Sequence, residues 1–231
     1  MSWADLIQEW WSIDDAERKA RVGDPFGVVM WPGSILASKE LVKQYYTSPT
    51  NIENATVLVL GAGTGVEAQT AALLGAKKVV ATDINSLTLK LLEYGAANDD
   101  RIEDHIFEAK YFDLFSDEAL PNCDILVAAD VLYNAELAKQ VGLRIHEAIV
   151  RSFDKGESPT KVIVTDSQQF HGTNFLEEVN ELKDLNGLFI ESSWEYLKWE
   201  THKLTNVCGS GVLIDDDQIY DIDVKMICWG W

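Results

Sequence analysis

Cysteine is scarce in this chain and follows no recognisable spacing. The three cysteines among 231 residues, Cys123, Cys208 and Cys228, form no C-x-x-C pair, and the four histidines are scattered. Pairs of that kind are the usual signature of a zinc site, and closely spaced, even-numbered cysteines are the signature of a disulfide framework. The sequence therefore predicts no metal site and no disulfides, and it suits a reducing compartment.

Long hydrophobic runs are also missing, and so is a basic leader. The first 15 residues, MSWADLIQEWWSIDD, contain no lysine or arginine, whereas a secretory signal begins with a positively charged stretch. No segment approaches the ~20 consecutive apolar residues that a membrane-spanning helix needs. We therefore expect no association with a membrane and a cytoplasmic location, with the nucleus as the alternative.

Positive charge is in short supply. Lysine and arginine number 19 against 38 aspartates and glutamates, which gives a net charge of −19 at pH 7. A field of this sign repels nucleic acids and attracts basic protein segments, so the expected partner is a protein and not a nucleic acid. Better solubility is an equally good explanation of the same charge.

Short apolar strands alternate with helical segments from residue 56 onwards. Hydrophobic residues make up 47% of the chain, enough for a substantial core. The predicted strands cover residues 56–60, 77–83, 104–110, 124–129, 161–165, 188–197 and 222–229, and the predicted helices cover 66–74, 85–97, 136–152 and 174–185. This alternation is typical of an α/β fold with a doubly wound, mostly parallel, seven-stranded sheet of the Rossmann-like kind.

The start of the chain does not follow this alternation. We expect residues 1–50 to form a helical extension packed on the core, and residues 51–231 to form the main domain. A helix over residues 3–20 would place four large apolar side chains on one face: Trp3, Ile7, Trp10 and Trp11. We interpret this face as a packing surface, and a lid over a substrate is the alternative.

A glycine-rich turn follows the first strand directly. Gly61, Gly63 and Gly65 alternate with Ala62 and Thr64 between a predicted strand and a predicted helix. Glycines in this position allow a sharp turn and let a ligand approach the backbone closely. The spacing is G-x-G-x-G rather than the G-x-G-x-x-G of dinucleotide-binding folds, and no lysine of a P-loop follows. The turn therefore indicates a nucleoside cofactor, while the spacing disfavours NAD and a nucleotide triphosphate.

Asp83 stands at the end of the second predicted strand, about 20 residues beyond the glycines. A carboxylate there can accept hydrogen bonds from the two ribose hydroxyls of a nucleoside. The simpler interpretation is that Asp83 caps the next helix or is an ordinary acid in a loop. Together, the glycine turn and the strand-end aspartate are much more specific than either feature alone.

Three segments resemble a known family. VLVLGAGTG at 57–65, with ATD at 81–83, resembles the cofactor-binding half of class I, seven-β-strand methyltransferases. MWPGS at 30–34 resembles the tryptophan segment that precedes the fold in methyltransferase family 16, which includes many protein lysine methyltransferases. AADVLY at 128–133 resembles that family's Asp-x-x-Tyr segment after the fourth strand. The resemblance runs from about residue 28 to the fifth strand.

The resemblance implies a cofactor, an activity and a set of site residues. The cofactor would be S-adenosylmethionine (SAM), and the reaction would methylate an amine nitrogen. The expected acceptor is the lysine side chain of a protein. We expect the protein to be a monomer. Asp130 and Tyr133 would be the catalytic residues that face the acceptor amine. The implied cofactor-binding residues are Trp31, Gly61, Ala62, Gly63, Gly65, Asp83, Tyr111, Asp113 and Ala129.

One position departs from the family pattern. The family usually has an acidic residue two positions before the first glycine, where it helps to hold the positively charged end of the cofactor, and this chain has Val59 there. Another acid could take over that role. The departure also leaves room for a non-catalytic interaction module that retains the fold. A small-molecule N-methyltransferase is a separate alternative, because acceptor loops vary freely on one fold.

Asp130 can be interpreted in two ways. A lysine has a pKa near 10.4, so a carboxylate beside it would raise that pKa further rather than remove the proton. We therefore expect Asp130 to capture and orient the acceptor amine, with Tyr133 helping through its hydroxyl or ring face. The alternative is that Asp130 caps the following helix and that Tyr133 packs in the core.

Overall fold

Seven strands form one sheet in the computed structural model, which describes residues 25–103, 105–154, 158–168, 174–177, 198–207 and 219–231. Their order across the sheet is β3-β2-β1-β4-β5-β7-β6. The strands are β1 (Thr56–Leu60), β2 (Lys78–Asp83), β3 (Phe107–Tyr111), β4 (Ile125–Ala129), β5 (Lys161–Asp166), β6 (Glu200–Val207) and β7 (Tyr220–Trp229).

Strands β1 to β5 run parallel to one another, and β7 runs antiparallel to both β5 and β6. Every residue of β4 is buried, because an apolar run such as Ile-Leu-Val-Ala-Ala can be covered on both faces. Helices lie in the crossovers from β1 to β2, from β2 to β3 and from β4 to β5, whereas residues 112–124 connect β3 to β4 without a helix. The predicted doubly wound, mostly parallel seven-stranded α/β sheet is confirmed.

Helices cover both faces of the sheet. They are α1 (Pro32–Thr47), α2 (Val66–Leu73), α3 (Ser86–Ala97) and α4 (Ala135–Asp154), with short 3-10 turns at Pro25–Val28 and Pro49–Asn51. Alternate residues of a strand point to opposite faces. Val59 accordingly lies in the core under α1, α2 and α3, whereas Leu58 and Leu60 lie in the core under α4.

The late strands agree only in part with the prediction. The strand predicted at 222–229 is present within β7, whereas residues 188–197 lie outside the described residues. The sixth strand, β6, was not predicted, because it forms an edge of the sheet on which only Leu204 and Val207 are buried. Of the helix predicted over 174–185, residues 174–177 are described and are helical.

The helical extension is described from residue 25 onwards, so the helix predicted over residues 3–20 lies outside the described residues. Within the extension, Leu36, Ala37 and Leu41 of α1 pack in the core below the sheet. A domain boundary at residue 50 stays a prediction. In the part of the chain that the structure describes, no helix is both long and apolar enough to cross a membrane.

Candidate active site

The candidate residues lie at the carboxyl ends of the parallel strands, the edge at which doubly wound sheets bind ligands. After β1, the chain turns through Gly61, Gly63 and Gly65, all with positive φ angles of 61°, 50° and 72°. A Cβ atom on Gly61 would lie 2.5 Å from Cγ1 of Val131. This turn therefore requires glycine for its backbone and for its space, and it leaves the backbone accessible.

Asp83 closes the glycine turn from the neighbouring strand. Its Oδ2 accepts a 3.0 Å hydrogen bond from the Gly63 amide, and its Oδ1 accepts a 2.8 Å bond from the Asn85 amide. The cap of α3 is Asn85, whose side chain accepts from the amides of Leu87 and Thr88. The simpler interpretation of Asp83 as the helix cap is therefore wrong. A carboxylate has about four acceptor positions, so two remain open on Asp83.

The end of β3 brings two more candidates beside Asp83. Tyr111 pairs in register with Asp83 and is 60% exposed. Asp113 follows in the loop, where its Oδ1 accepts a 2.9 Å hydrogen bond from the Phe115 amide. The structure thus places Tyr111 and Asp113 on the Asp83 side of the site, where an adenine ring next to the ribose would lie.

Asp130 leaves the end of β4 in a left-handed conformation, with φ of 54°. Its Oδ2 accepts hydrogen bonds from the Gly33 amide at 2.6 Å and from the Ser167 hydroxyl at 2.9 Å, and its Oδ1 accepts the Ser167 amide at 2.5 Å. Burial raises the pKa of Asp130 to about 6, although these hydrogen bonds act in the opposite direction. Positive φ is uncommon outside glycine and costs on the order of 1–3 kcal/mol, so these contacts hold a strained residue in place.

The start of α1 is built around this carboxylate. Pro32 occupies the first helical position, where its missing amide hydrogen is harmless. Gly33 comes next, and a Cβ atom there would lie 2.5 Å from the Asp130 carboxylate. The positive end of a helix also favours a negative charge. Gly33 and Ser167 are therefore site residues that the sequence reasoning missed, although Pro32-Gly33 in the tryptophan segment was a usable signal.

Glu67 is a third residue that the sequence reasoning missed. It lies in the first turn of α2, two residues beyond Gly65, and it is 0% exposed. Neither carboxylate oxygen has a hydrogen-bond partner among the described residues. The pKa of Glu67 is raised to about 7, mainly by burial. The charge of Asp130 contributes in the same direction, whereas the backbone amide of Glu67 and the Ser34 hydroxyl act in the opposite direction.

The remaining candidates lie around the same edge. Trp31 is the half-buried residue that precedes α1. Ala129 is buried at the end of β4, and Tyr133 is 56% exposed in the following loop. The cap of α4 is Asn134, which accepts from the Leu137 amide at 2.8 Å. The alternative of Asp130 as a helix cap and Tyr133 as a core residue is therefore wrong.

A family model for lysine methyltransferases matches residues 17–147, more than half of the 231-residue chain. The chain belongs to the lysine methyltransferase family. The matched region contains the tryptophan segment, the glycine turn, Asp83 and the Asp-x-x-Tyr segment. The family predicted from these segments is thereby confirmed, while the role of each family residue in this chain stays a prediction.

Curated proteins similar to the chain include two named protein-lysine methyltransferase METTL21E. The Bos taurus protein is 34% identical over 120 residues, which are 48% of this chain and 39% of that protein. The Mus musculus protein is 32% identical over 120 residues, which are 48% of this chain and 46% of that protein. The similarity thus spans less than half the length of each relative.

Solved structures show the same fold over nearly the whole chain. PH1948 of Pyrococcus horikoshii, described as a candidate RNA methyltransferase, matches with a TM-score of 0.57 and 17% identity over 98% of this chain and 96% of that one. Magnesium protoporphyrin IX methyltransferase (ChlM) from Synechocystis PCC 6803, solved with bound SAM, matches with a TM-score of 0.54 and 12% identity over 99% and 98%. At such identities the likeness establishes the fold alone.

Proposed function

We propose that this protein transfers a methyl group from SAM to the side-chain nitrogen of a lysine in a protein. The observation that carries the proposal is the closed arrangement of the glycine turn and Asp83, joined by the 3.0 Å hydrogen bond between the Gly63 amide and Asp83. That arrangement stands in a chain of the lysine methyltransferase family. The activity of the whole protein rests on this combination, since the named relatives match over only part of their length.

The residues at the β1 and β2 ends fit a nucleoside. Gly61 and Gly63 have the positive φ angles that favour glycine, and glycine places no side chain between the turn and a ligand. Asp83 is held by two backbone amides and keeps acceptor capacity for the two ribose hydroxyls. Tyr111 and Asp113 would border the adenine, and Trp31 and Ala129 would border the methionine end. When bound, SAM supplies an electrophilic methyl group on a sulfonium ion.

The residues at the β4 end suit the acceptor amine. Asp130 is fixed by three hydrogen bonds, so it presents a negative charge at one defined position. Its pKa of about 6 lies far below that of a lysine, so Asp130 orients the amine and does not take its proton. Tyr133, 56% exposed at the rim, offers a hydroxyl and a ring face to the incoming side chain. Alignment of this kind is the main contribution that a protein makes to an in-line transfer.

A protein acceptor is supported by charge and by the relatives. The chain carries a net charge of −19 at pH 7, which favours encounter with a basic segment. The similar curated proteins are named protein-lysine methyltransferases. We therefore expect the acceptor lysine to lie in a lysine- or arginine-rich segment.

The experiment is a transfer assay with methyl-deuterated SAM. The intact chain is incubated with a cell extract, and labelled peptides are identified by mass spectrometry. We expect a deuterated methyl group on lysine in at least one protein, and its loss with Asp83→Ala. Asp124→Ala serves as a matched control, because Asp124 also accepts a backbone amide, that of Thr56, but lies at the opposite end of the strands. If the deuterated methyl group were found only on small molecules, the acceptor would be a small molecule and not a protein. If the protein bound SAM but transferred no label, an interaction module without methyl transfer would be favoured.

A further inference from the structure

Glu67 is a buried acid in the first turn of α2, directly after the glycine turn. Its side chain is 0% exposed, and both of its carboxylate oxygens are without hydrogen-bond partners among the described residues. Buried carboxylates in folded proteins are almost always paired or hydrogen-bonded, because an unpaired charge in the interior is strongly unfavourable. An orphan of this kind at the edge of a ligand site therefore indicates a partner that arrives with the ligand.

Asp130 is the charged group that acts on Glu67, and it carries the same sign. The two groups that influence it from other elements are the Ser34 hydroxyl, in the first turn of α1, and the charge of Asp130. None of the ion pairs formed by the described residues includes Glu67 or Asp130. A second orphan, the buried hydroxyl of Ser38, lies one helical turn beyond Ser34. Among the described residues, Glu67 thus has a second acid within electrostatic range and forms no ion pair with a lysine or arginine.

Glu67 is also close in the fold to the position where the family's acid is missing. It shares the buried face of α2 with Ala68 and Ala71, which pack in the same core cluster as Val59. Val59 is itself completely buried near the end of β1. Val59 and Glu67 thus flank the glycine turn, with Val59 two positions before Gly61 and Glu67 two positions after Gly65.

We propose that Glu67 supplies the negative charge that holds the cationic methionine end of SAM, in place of the acid that Val59 does not provide. This inference rests on the proposed function, since it concerns the binding of that cofactor. Asp130 shares the task electrostatically, while its three hydrogen bonds fix its position. Glu67 is in this sense a cofactor-positioning residue, and it is not required to touch the acceptor.

The proposal predicts that protons leave the protein when the cofactor binds. Burial is the main cause that raises the pKa of Glu67 to about 7, and the charge of Asp130 acts in the same direction. A bound cation favours the ionised forms, so it lowers both pKa values and releases a proton to the buffer. Near pH 7 we expect wild-type protein to release a substantial part of one proton per SAM bound.

The test is calorimetric titration of the intact chain near pH 7 in two buffers of different ionisation enthalpy. The ligands are SAM, S-adenosylhomocysteine and 5′-methylthioadenosine, which has the adenosine part but no amino-acid tail. The variant is Glu67→Gln, which keeps the shape and removes the charge. Glu40→Gln is the matched control, because Glu40 is also buried on this side of the sheet but is paired with Lys43 and Gln44.

We expect Glu67→Gln to bind SAM and S-adenosylhomocysteine about tenfold more weakly or worse, and to lose most of the proton release. Affinity for 5′-methylthioadenosine should be unchanged, which also shows that the variant is folded. Glu40→Gln should bind all three ligands like wild type. Unchanged SAM affinity and proton release in Glu67→Gln would overturn the inference and leave the proposed function standing. Failure of the wild-type protein to bind either SAM or S-adenosylhomocysteine would instead count against the proposed function.

Discussion

The ends of β2 and β4 both carry an aspartate, yet the two surroundings differ in kind. Asp83 at the end of β2 is half-buried and accepts one backbone amide on each oxygen. Asp130 at the end of β4 has a positive φ, receives three hydrogen bonds, and lies near the buried Glu67. The β2 region thus holds one carboxylate that can accept further hydrogen bonds. The β4 region holds two acids, Asp130 and Glu67, that lie within electrostatic range of each other.

This difference follows from what covers each strand end. Beside β2 the chain offers the backbone amides of the glycine turn and of Asn85, which satisfy a carboxylate without enclosing it. Beside β4 the helix start at Gly33 packs directly against the carboxylate and donates a 2.6 Å hydrogen bond to it. Neutral hydroxyl groups suit the first environment and cationic groups suit the second. The comparison teaches that the same residue type at the same topological position can suit two different groups, the ribose hydroxyls of a cofactor and the amine of an acceptor.

Of the substitutions that test this difference, Asp83→Ala should have the largest effect, a loss of SAM affinity. The substitution removes the acceptor for both ribose hydroxyls, and hydrogen bonds to charged groups contribute about 1.5–3 kcal/mol each. We expect SAM affinity to fall by more than about a hundredfold, measured by calorimetry. Asp124→Ala, at the other end of the strands, should leave the affinity unchanged. An unaltered dissociation constant in Asp83→Ala would mean that the pocket is elsewhere.

Glu67→Gln should make the protein without ligand more stable at high pH. The pKa of Glu67 is raised from 4.5 in its unfolded reference to about 7. The folded state therefore holds this proton more tightly, and its contribution to stability is present below about pH 4.5 and is lost as the pH rises through 7. The variant should match wild type near pH 4.5 and exceed it by up to about 3 kcal/mol at pH 8.

The measurement is urea unfolding across this pH range, with Glu40→Gln for comparison. Glu40 differs because the Lys43 and Gln44 side chains hold its pKa below the usual value against the opposing effect of burial. Its contribution is therefore lost as the pH falls, so Glu40→Gln should be destabilised at pH 8. If the unfolding free energies of Glu67→Gln and wild type changed with pH in the same way, the pKa of Glu67 would not be raised in the folded protein.

Gly33→Ala should disturb the β4 region and leave the β2 region intact. The added Cβ would lie 2.5 Å from the Asp130 carboxylate, which must then move away from the helix start. We expect a loss of about 1–3 kcal/mol in unfolding free energy from overpacking, and a marked loss of methyl transfer. Gly95→Ala in α3 is the control, because its Cβ would meet only the end of the Gln69 side chain at 3.1 Å. If Gly33→Ala transferred methyl groups as fast as the wild-type protein, the proposed role of Asp130 in orienting the acceptor amine would be contradicted.

Tyr133→Phe should have the smallest effect. The residue is 56% exposed at the rim, so the loss of its hydroxyl leaves the core and the cofactor contacts unchanged. We expect turnover to fall by about tenfold or less, in line with one hydrogen bond of about 1 kcal/mol, with no change in SAM affinity. A matching loss of SAM affinity would place Tyr133 in the cofactor pocket instead.

The β2 region could be predicted from local sequence, whereas much of the β4 region could not. The glycine turn and Asp83 are short-range signals, since each follows its own strand directly. Gly33 meets Asp130 across 97 positions of sequence, and Ser167 meets it across 37. Glu67 gives no signal in the sequence, because an acidic residue in the first turn of a helix is common and only the packing of the fold shows that it is buried. The strand β6 was missed for a similar reason, because an edge strand with two buried residues lacks an apolar run.

The most direct measurement is calorimetric titration of the purified protein with SAM and S-adenosylhomocysteine. The account predicts micromolar binding of both ligands, since the glycine turn, Asp83 and the buried acids together fit each part of the molecule. Absence of binding at millimolar concentration would contradict it, and the fold would then serve as an interaction module without methyl transfer.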